Sequence, residues 1–232
     1  MGYIYETHCH TKESSRCGVT HGADYARFYK KLGFSGFFVT DHFSKGALIS
    51  ENEDITWKEK VDRFCIGYEN AKSEGDKIGI NVMFGWEFAV GPTHFVTYGL
   101  EREWLYDNPN VLELGLKDYA DKVHSDGGYI VHAHPFRHVS SGVISIMPNH
   151  IDAVETINGA NANNTWGNAY AEMLGLPKTA GSDIHDIRTK RNISGVISEV
   201  ELKTPADYIE ELKNNRLKLF DIPTFMLSAI EK

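Results

Sequence analysis

The sequence lacks the features of disulfide-stabilised and membrane-embedded proteins. Its three cysteines are an odd number and show no CxxC spacing. This argues against a disulfide framework or a cysteine zinc knuckle and fits a reducing compartment. No apolar run approaches the roughly 20 residues that a membrane span requires, and no Lys- or Arg-led apolar stretch stands at the beginning of the sequence. We therefore expect a cytoplasmic protein that does not contact a membrane.

Positive charge is scarce as well. With 24 Lys and Arg against 32 Asp and Glu, the formal net charge is -8, which disfavours a surface that coats long nucleic acid by counterion release. A short oligonucleotide or a small phosphorylated substrate is still compatible with this charge, because bound metal ions can supply local positive charge. We find no internal repeat, low-complexity tract or domain linker. The sequence therefore predicts one domain spanning residues 1–232.

Histidine is frequent, and several of the eleven histidines stand in pairs. His8 and His10 follow an apolar, aromatic run that begins at Tyr3 and reads as a short strand. The two-residue period of a strand puts both imidazoles on one face and Cys9 on the other. Two imidazoles aimed at one point are half of a metal site, since neutral His is a common ligand of Zn, Mn and Fe. A pair of buried histidines satisfied by hydrogen bonds would show the same spacing, so the rest of the sequence decides between the two.

Helical and strand-like patterns alternate along the chain. Helical spacing of apolar residues occurs near residues 23–32, 57–71, 116–125 and 164–174, and a helix capped by Thr204 begins at Pro205. Strand patterns lie near residues 36–40, 78–88, 95–98, 129–135, 151–155, 179–185 and 196–200. The alternation predicts a parallel sheet with helices on its faces, in which ligands gather at the carboxyl ends of the strands. Residues 43–56 are a polar loop, long enough to be a lid or a substrate loop.

Residue types that commonly bind metals stand where these strands end. They are His8 and His10, His42, Glu87, His132 or His134, and Asp183 and His185. Any one of them alone is compatible with a structural role, but a random scatter would rarely place so many at equivalent points of a repeated pattern. A barrel of parallel strands would bring these ends together around one central pocket.

Five motifs together resemble the PHP (polymerase and histidinol phosphatase) family. They are His8-Cys9-His10-Thr11, Thr40-Asp41-His42, Glu87, Ala133-His134-Pro135 and Gly181-Ser182-Asp183-Ile184-His185. They occur in the family's order, and the resemblance covers essentially the whole chain. It implies an α/β fold, a distorted (β/α)7 TIM-like barrel, with two or three divalent metal ions at the carboxyl ends of its strands. It also implies phosphoester hydrolysis, and mixed nitrogen and oxygen ligands fit Zn, Mn or Fe without choosing among them.

The resemblance also implies a set of metal ligands. His8, His10, Glu87 and Asp183 would hold a first metal, Glu87 would bridge to a second held by His94 and His134, and His42 and His185 would hold a third. Related proteins often carry His or Asp five or six residues after the second His of the opening motif, where Ser15 and Arg16 stand here. The third metal is therefore expected to be weak, absent or completed by a different residue, with Glu13, Cys17 and His21 nearby.

Further residues have candidate roles beside these ligands. Arg16 and Arg137 each follow a ligand motif closely and lead Arg188 and Arg191 as candidates for binding the phosphate. Asp41 would orient a metal-bound His by accepting its far N–H. His132 is expected on the same strand face as His134, as a ligand, a residue that orients a ligand, or a general acid for the leaving group. The candidate catalytic set is Glu87, His132, Arg137 and Arg16.

The resemblance and the residues together predict a metal-dependent phosphoesterase. Its substrate would be a small phosphorylated metabolite or a short oligonucleotide, hydrolysed through a hydroxide that bridges the metals. One alternative is a 5'-3' exonuclease or nucleotide phosphatase, for which Phe43, Trp86 and Trp166 are candidate stacking residues. Others are a metal-dependent amidohydrolase, which would place a bridging lysine on a mid-barrel strand, and a non-catalytic metal-binding PHP module. No Lys ends a strand here, and the oligomeric state is left open.

Overall fold

The computed structural model describes residues 2–48, 55–144, 146–161, 164–189 and 192–223. The strands are β1 Tyr3–Glu6, β2 Gly36–Val39, β3 His42–Phe43, β4 Asn81–Val90, β5 Thr93–Tyr98, β6 Tyr129–Ala133, β7 Ala153–Asn158, β8 Lys178–Gly181, β9 Ile193–Ser198 and β10 Lys218–Ile222. The helices are α1 Gly22–Lys31, α2 Lys45–Leu48, α3 Trp57–Ile78, α4 Arg102–Asp107, α5 Leu116–Ser125, α6 Asn164–Leu174 and α7 Pro205–Lys213. Short 3-10 helices span Val111–Glu113 and Val139–Ser141. The sequence did not predict α4, β10 or α2, and α2 lies within the predicted lid loop. Residues 49–54 of that loop lie outside the described residues.

Two helices begin at residues whose chemistry fixes their position. At the start of α3 the Thr56 hydroxyl accepts a hydrogen bond from Glu59 N while the Glu59 carboxylate accepts one from Thr56 N, which is a capping box. The same helix ends where Gly79 adopts a φ of 74°, a left-handed conformation that favours glycine. Helix α7 also has a capping box at Thr204, followed by Pro205 in its first turn. The predicted start of α7 is therefore confirmed.

One mixed sheet runs through the molecule in the order β10-β9-β1-β2-β4-β5-β6-β7-β8, with β3 beside β4. The pairs β1-β2, β2-β4, β6-β7 and β7-β8 are parallel. Strand β5 is antiparallel to both of its neighbours, because a tight turn between Val90 and Thr93 sends the chain back along β4. The ribbon of β9 and β10 runs antiparallel on the far side of β1.

The chain beyond β8 brings this sheet close to a closed barrel. Ile184 forms a parallel bridge with Cys9, and His10 N donates to Ile184 O at 3.0 Å. Among the described residues, the barrel wall consists of seven strands, β1, β2 and β4 to β8. The predicted distorted (β/α)7 barrel is thereby confirmed, but the expectation that all its strands are parallel is wrong at β5.

Alternate strand residues fill the barrel and leave one end for a site. Phe38 and Val131 belong to an interior cluster that includes Tyr208 of α7. Helix α7 lies at the end of the barrel where the parallel strands begin. Asn81, the first residue of β4, donates at 3.0 Å to the carbonyl oxygen of Leu202, which shortly precedes α7 in the chain. The opposite end, where the parallel strands terminate, is therefore available for functional side chains.

The outer faces of the strands pack against the helices. Phe43 and Trp86 are fully buried in this layer, and Trp86 Nε1 donates to the hydroxyl of Tyr119 in α5 at 2.7 Å. The suggestion that these two aromatics stack on a substrate is therefore wrong. Trp166 differs from them, because it is 60% exposed. Within the described ranges, no helix has both the length and the apolar character needed to cross a membrane.

Candidate metal centre

Side chains from both halves of the chain meet at the open end of the barrel. They form four overlapping groups of three, and within each group the candidate ligand atoms lie within 4.8 Å of one another. The groups are His8/Glu87/His134, His8/His10/Asp183, His42/Glu87/His94 and His10/His42/His185. All eight residues predicted to bind metals therefore lie in one cluster.

Glu87 lies at the centre of this cluster. Its neighbours on β4 face the helices, so the strand period turns Glu87 to the inside of the barrel mouth. Its carboxylate lies 2.9 Å from His94 Nδ1, 3.0 Å from His134 Nε2, 3.5 Å from His8 Nε2 and 3.7 Å from His10 Nε2, and it also contacts His42 Nδ1. One buried carboxylate thus faces the nitrogens of five imidazoles.

Asp183 and His134 reach the cluster from strained turns. Their φ angles are 50° and 31°, in the left-handed region that residues with a side chain seldom adopt. Such strain persists where the surrounding structure enforces it, and it concentrates at functional sites. The turn at Asp183 places its Oδ1 3.2 Å from His10 Nε2, so the strain directs both side chains into the cluster.

His132 lies outside the cluster, contrary to the prediction. Strand β6 ends at Ala133, and the positive φ of His134 breaks the two-residue alternation, so His132 and His134 do not share a face. The ring of His132 stacks on Phe95, with centroids 5.1 Å apart, and meets Tyr170 edge-on at 5.8 Å. His132 thus packs between the sheet and the helices, and it belongs to none of the ligand groups found among the described residues.

Glu155 on β7 holds two of the cluster histidines. Its Oε1 is 2.9 Å from His8 Nδ1, and its Oε2 accepts from His134 N at 2.9 Å and from Asn158 Nδ2 at 2.8 Å. A carboxylate on Nδ1 fixes the tautomer in which Nε2 keeps its lone pair, and Nε2 of His8 is the atom that faces the cluster. The sequence did not predict this role, and its one signal there is an acid within an apolar strand.

Asp41 acts one step further from the cluster than predicted. Its carboxylate accepts from Thr11 N at 2.6 Å, from Thr11 Oγ1 at 2.7 Å and from Ser15 Oγ at 2.6 Å. Ser15 Oγ in turn accepts from His42 N at 3.0 Å and lies 3.4 Å from His10 Nδ1. The turn after His10 thus inserts Ser15 between Asp41 and the imidazoles, so Asp41 orients them through Ser15 rather than directly.

Glu6 is a second buried acid that the sequence analysis did not single out. It accepts hydrogen bonds from His8 N at 2.8 Å, Ser182 N at 2.8 Å and the Tyr29 hydroxyl at 3.0 Å. Burial raises the pKa of Glu6 to about 7, although the hydrogen bonds from Ser182 and His8 act to lower it. Glu6 therefore ties the end of β1 to the turn that carries Asp183.

The candidate phosphate-binding arginines differ in position. Arg137 Nη1 lies 3.2 Å from Asp183 Oδ2, and Arg137 lines an open pocket of about 260 Å³ beside the cluster. Arg16 is exposed on the turn that follows Ser15. Arg188 makes two hydrogen bonds of 2.8 Å to the Asp186 carboxylate, which occupies its fork. Arg191 lies outside the described residues, so Arg137 is the candidate with a clear place at the site.

Cys17 lies at the edge of the cluster. It lines the same pocket as Arg137 and His185, and its thiol interacts with the imidazoles of His42 and His185. Partial burial acts to raise the pKa of Cys17, but the hydrogen bonds with these two histidines prevail and lower it to about 6. The sequence alone placed Cys17 near the third metal, without assigning it a role.

The cluster keeps its two acids ionised. Burial acts to raise the pKa of Glu87, but His42 beside it outweighs this effect and holds the pKa well below its usual range. His8 does the same for Asp183. Burial and the neighbouring His42 lower the pKa of His10, whereas Glu87 raises the pKa of His42 to about 10 against the effect of burial. Both acids are therefore carboxylates at neutral pH, and a bound cation would displace the proton of His42.

The donor atoms fit divalent cations. Within the described residues, Glu87 Oε2 and Asp183 Oδ1 are buried and accept no hydrogen bond of good geometry, which is unfavourable unless a positive charge lies between them and their neighbours. The Nε2 atoms of His8 and His10 are 3.1 Å apart, so at least one must present a lone pair. Imidazole nitrogens together with carboxylate oxygens suit Zn, Mn and Fe.

No family model matches the chain, and no curated protein sequence matches it. Solved structures do resemble it. A two-domain protein from Bacteroides vulgatus ATCC 8482, described as containing a predicted PHP-like metal-dependent phosphoesterase, superimposes with a TM-score of 0.69 at 16% identity. The match covers 96% of this chain and 65% of that protein, so this chain spans less than two thirds of its length.

Two other solved structures share the fold over nearly their whole length. An inferred metal-dependent phosphoesterase from Bifidobacterium adolescentis ATCC 15703 has a TM-score of 0.54 at 16% identity, covering 92% of this chain and 96% of that chain. An amidohydrolase from Chromobacterium violaceum, with bound sulfate and no metal, has a TM-score of 0.54 at 14% identity, covering 92% and 97%. At these identities the likeness concerns the fold, and the predicted PHP fold is confirmed.

Proposed function

We propose that this chain, with its PHP fold, is a metal-dependent phosphoesterase acting on a small phosphorylated metabolite or a short oligonucleotide. The observation that carries the proposal is the position of Glu87, a buried carboxylate within 3.7 Å of four imidazoles and in contact with a fifth. A carboxylate so placed can bridge two cations, and paired cations about 3.5–4 Å apart form the clamp of many phosphoryl-transfer sites. The fold neighbours described as metal-dependent phosphoesterases support the same reaction class.

The contacts support a division of the ligands among the ions. We assign His8, His10, Glu87 and Asp183 to a first ion, Glu87, His94 and His134 to a second, and His42 and His185 to a third. His10 is near both the first group and the third, because its ring stacks on His42 and His185 with centroids 4.2 and 4.4 Å apart. The ions would be Zn, Mn or Fe, since these accept mixed nitrogen and oxygen donors.

The chain's own residues contribute orientation and charge. When bound, the ions would neutralise the phosphate and supply an activated water as nucleophile. Glu155 keeps His8 in the tautomer that presents Nε2 to the cluster, and the strained turns at His134 and Asp183 hold their side chains in place before substrate arrives. Arg137 is positioned to bind a phosphate oxygen, because its guanidinium already lies against the Asp183 carboxylate at the mouth of the pocket.

The pocket favours a compact substrate. Its volume is about 260 Å³, and its described lining is Cys17, Arg137, His185, Asp186 and Thr189, none of which has a large apolar side chain. Trp166, 60% exposed and 6.0 Å from Phe136, could stack on the base of a nucleotide that extends beyond the pocket. A phosphomonoester or a short oligonucleotide is therefore the substrate we propose.

The second candidate function is metal-dependent amide hydrolysis. It is favoured by the fold likeness to the Chromobacterium violaceum amidohydrolase. Amide hydrolysis would place a bridging lysine between the metals. Here Glu87 occupies the position between the imidazoles, which does not support this candidate. The two candidates differ in the bond that is broken, so substrate assays separate them.

The test uses metal-stripped protein reloaded with Mn, Zn or Fe. Hydrolysis of p-nitrophenyl phosphate and of bis(p-nitrophenyl) phosphate, which release p-nitrophenol, is measured beside p-nitroacetanilide, an amide that releases p-nitroaniline. We expect ester hydrolysis that needs added metal and is lost in Glu87→Gln. The matched control is Glu211→Gln, which removes a partly buried carboxylate bound to Arg216 at the other end of the barrel and should remain active.

Each outcome separates the candidates. A preference between the two esters tells whether monoesters or diesters are the natural class. Cleavage of the amide alone would replace the proposal with amide hydrolysis. Two or three bound metals without any activity would point to a non-catalytic module, and failure to bind metal would overturn the proposal altogether.

A further inference from the structure

A tight turn after the first histidine pair carries Cys17 to the third histidine group. Gly18 N donates to Ser15 O at 2.8 Å, which closes the turn, and Val19 N donates to His185 O at 2.8 Å, which docks it on the opposite side of the site. A side chain at Gly18 would place its Cβ 2.3 Å from Thr11 O, so the turn requires glycine there. The position of Cys17 is therefore fixed by the backbone on both sides of it.

The histidine group that Cys17 faces is one donor short of a tetrahedral site. Candidate ligand atoms of His10, His42 and His185 lie within 4.8 Å of one another. Nδ1 of His185 lies 2.9 Å from Asp183 O, which directs its Nε2 away from that strand. Three imidazoles leave the fourth position of a tetrahedral cation open, and the Cys17 thiol interacts with two of the three rings.

Ser15 is a poorer candidate for this position. Its hydroxyl already donates to Asp41 Oδ1 at 2.6 Å and accepts from His42 N at 3.0 Å, and the protein ligands of zinc are Cys, His, Asp and Glu. Asp183 is already directed at His10 and His8. Among the described residues, Cys17 lines the pocket together with His185, and its thiol interacts with His42 and His185 of the histidine group.

We propose that Cys17 Sγ is a protein ligand of a cation held by His10, His42 and His185. The inference rests on the proposed metal centre and adds a thiolate to it. On binding, the S–H proton passes to solvent and the sulfur donates a lone pair to the cation, with no change in oxidation state. Because a thiolate is a soft ligand, this position should select Zn or Fe over Mn.

The test is X-ray absorption spectroscopy of the full chain stripped of metal and reloaded with Zn, with the bound metal counted in the same sample. We expect a sulfur neighbour at about 2.3 Å in addition to the nitrogen and oxygen shell at about 2.0–2.2 Å. Cys17→Ser should lose the sulfur shell and release one equivalent of zinc more readily. Cys65→Ser changes a thiol buried between helix and sheet, and it should keep both the sulfur shell and the full zinc count.

A second measurement uses the accessibility of the thiols. All three cysteines lie in the described part of the chain, where Cys9 and Cys65 are buried and Cys17 is exposed. Alkylation of the native protein by iodoacetamide should therefore occur at Cys17, and saturating zinc should slow it at least tenfold. Cys17→Asp should keep the zinc count while losing the sulfur shell, because a carboxylate can replace a thiolate as donor.

The outcomes distinguish this inference from the proposed function. Two or three bound zinc ions with no sulfur shell, or alkylation of Cys17 that zinc does not slow, would overturn the thiolate ligand and leave the phosphoesterase proposal intact. Absence of any bound metal would overturn both. Loss of the sulfur shell in Cys65→Ser with its retention in Cys17→Ser would also refute the assignment.

Discussion

Replacing Glu155 with Gln should weaken metal binding although Glu155 is not itself a proposed ligand. Its Oε1 faces His8 Nδ1, and its Oε2 accepts from His134 N and Asn158 Nδ2. A Gln side chain has the same shape but only one oxygen, so its NH2 group must replace one of these acceptors. If the NH2 group faces His134 and Asn158, it meets the two N–H donors that the Glu155 oxygen accepts from, and neither hydrogen bond can form. If it faces His8, Nδ1 must become the acceptor, and the proton moves to Nε2, the atom that points into the cluster.

The size of the effect follows from these contacts. Removing a partner that orients a metal-bound His typically lowers metal affinity about 10–100-fold, which corresponds to about 1.4–2.7 kcal/mol. The Glu155 carboxylate contacts the imidazole of one candidate ligand, His8, and accepts from the backbone N–H of a second, His134. We therefore expect a loss nearer the upper end of this range.

Metal affinity is measured by competition with a chromophoric chelator, using zinc and folded protein. Circular dichroism and urea unfolding of the metal-free proteins show separately whether the variant is folded and how stable it is. Glu211→Gln is the matched control, because Glu211 accepts from Arg216 at 2.6 Å far from the cluster. It should lower stability slightly and leave zinc affinity unchanged.

A folded Glu155→Gln protein that binds zinc within twofold of the parent would refute the role assigned to Glu155. In that case the orientation of His8 would be set by the barrel backbone alone. Equal loss of affinity in Glu211→Gln would also contradict it, because the effect would then follow from general destabilisation.

Three further predictions concern the substrate, the fold and the ions. Arg137→Lys should raise KM for the aryl phosphate about tenfold while metal content is unchanged, because the fork beside Asp183 is lost; an unchanged KM in steady-state assays would remove Arg137 from the phosphate site. Gly67→Ala should lower the free energy of unfolding by about 1–3 kcal/mol in urea titrations, since the new Cβ would lie 1.9 Å from Thr11 Oγ1; equal stability would show that α3 can shift. Chelation by EDTA should lower Tm by about 5–11 °C, from about 2.7 kcal/mol for a cation at 100 times its Kd and 2–4 °C per kcal/mol; an unchanged Tm in differential scanning calorimetry would indicate that no cation was bound.

The residue pattern, together with the family resemblance that its motifs carry, predicted the fold class and the residues that gather at the site. His8 and Asp183 follow apolar runs, and Glu87 interrupts the apolar run of β4. Parallel strands terminate at the same end of a barrel, so a linear pattern implied a spatial cluster. The cap at Thr204 was also predicted correctly, because a helix start depends on neighbours three residues apart. Features that depend on local chemistry and strand period were therefore predictable from the sequence.

The direction in which each donor atom points, and the residues that hold it there, depend instead on tertiary structure. His132 and His134 look equivalent in sequence, yet the positive φ of His134 turns one ring into the cluster and leaves the other between sheet and helices. The partner of His8, Glu155, lies 147 residues away, and Cys17 reaches the histidine group only because its turn docks on the strand end at His185. Strained turns and contacts between distant residues exist only once the barrel has closed, and no pattern of neighbouring residues encodes them.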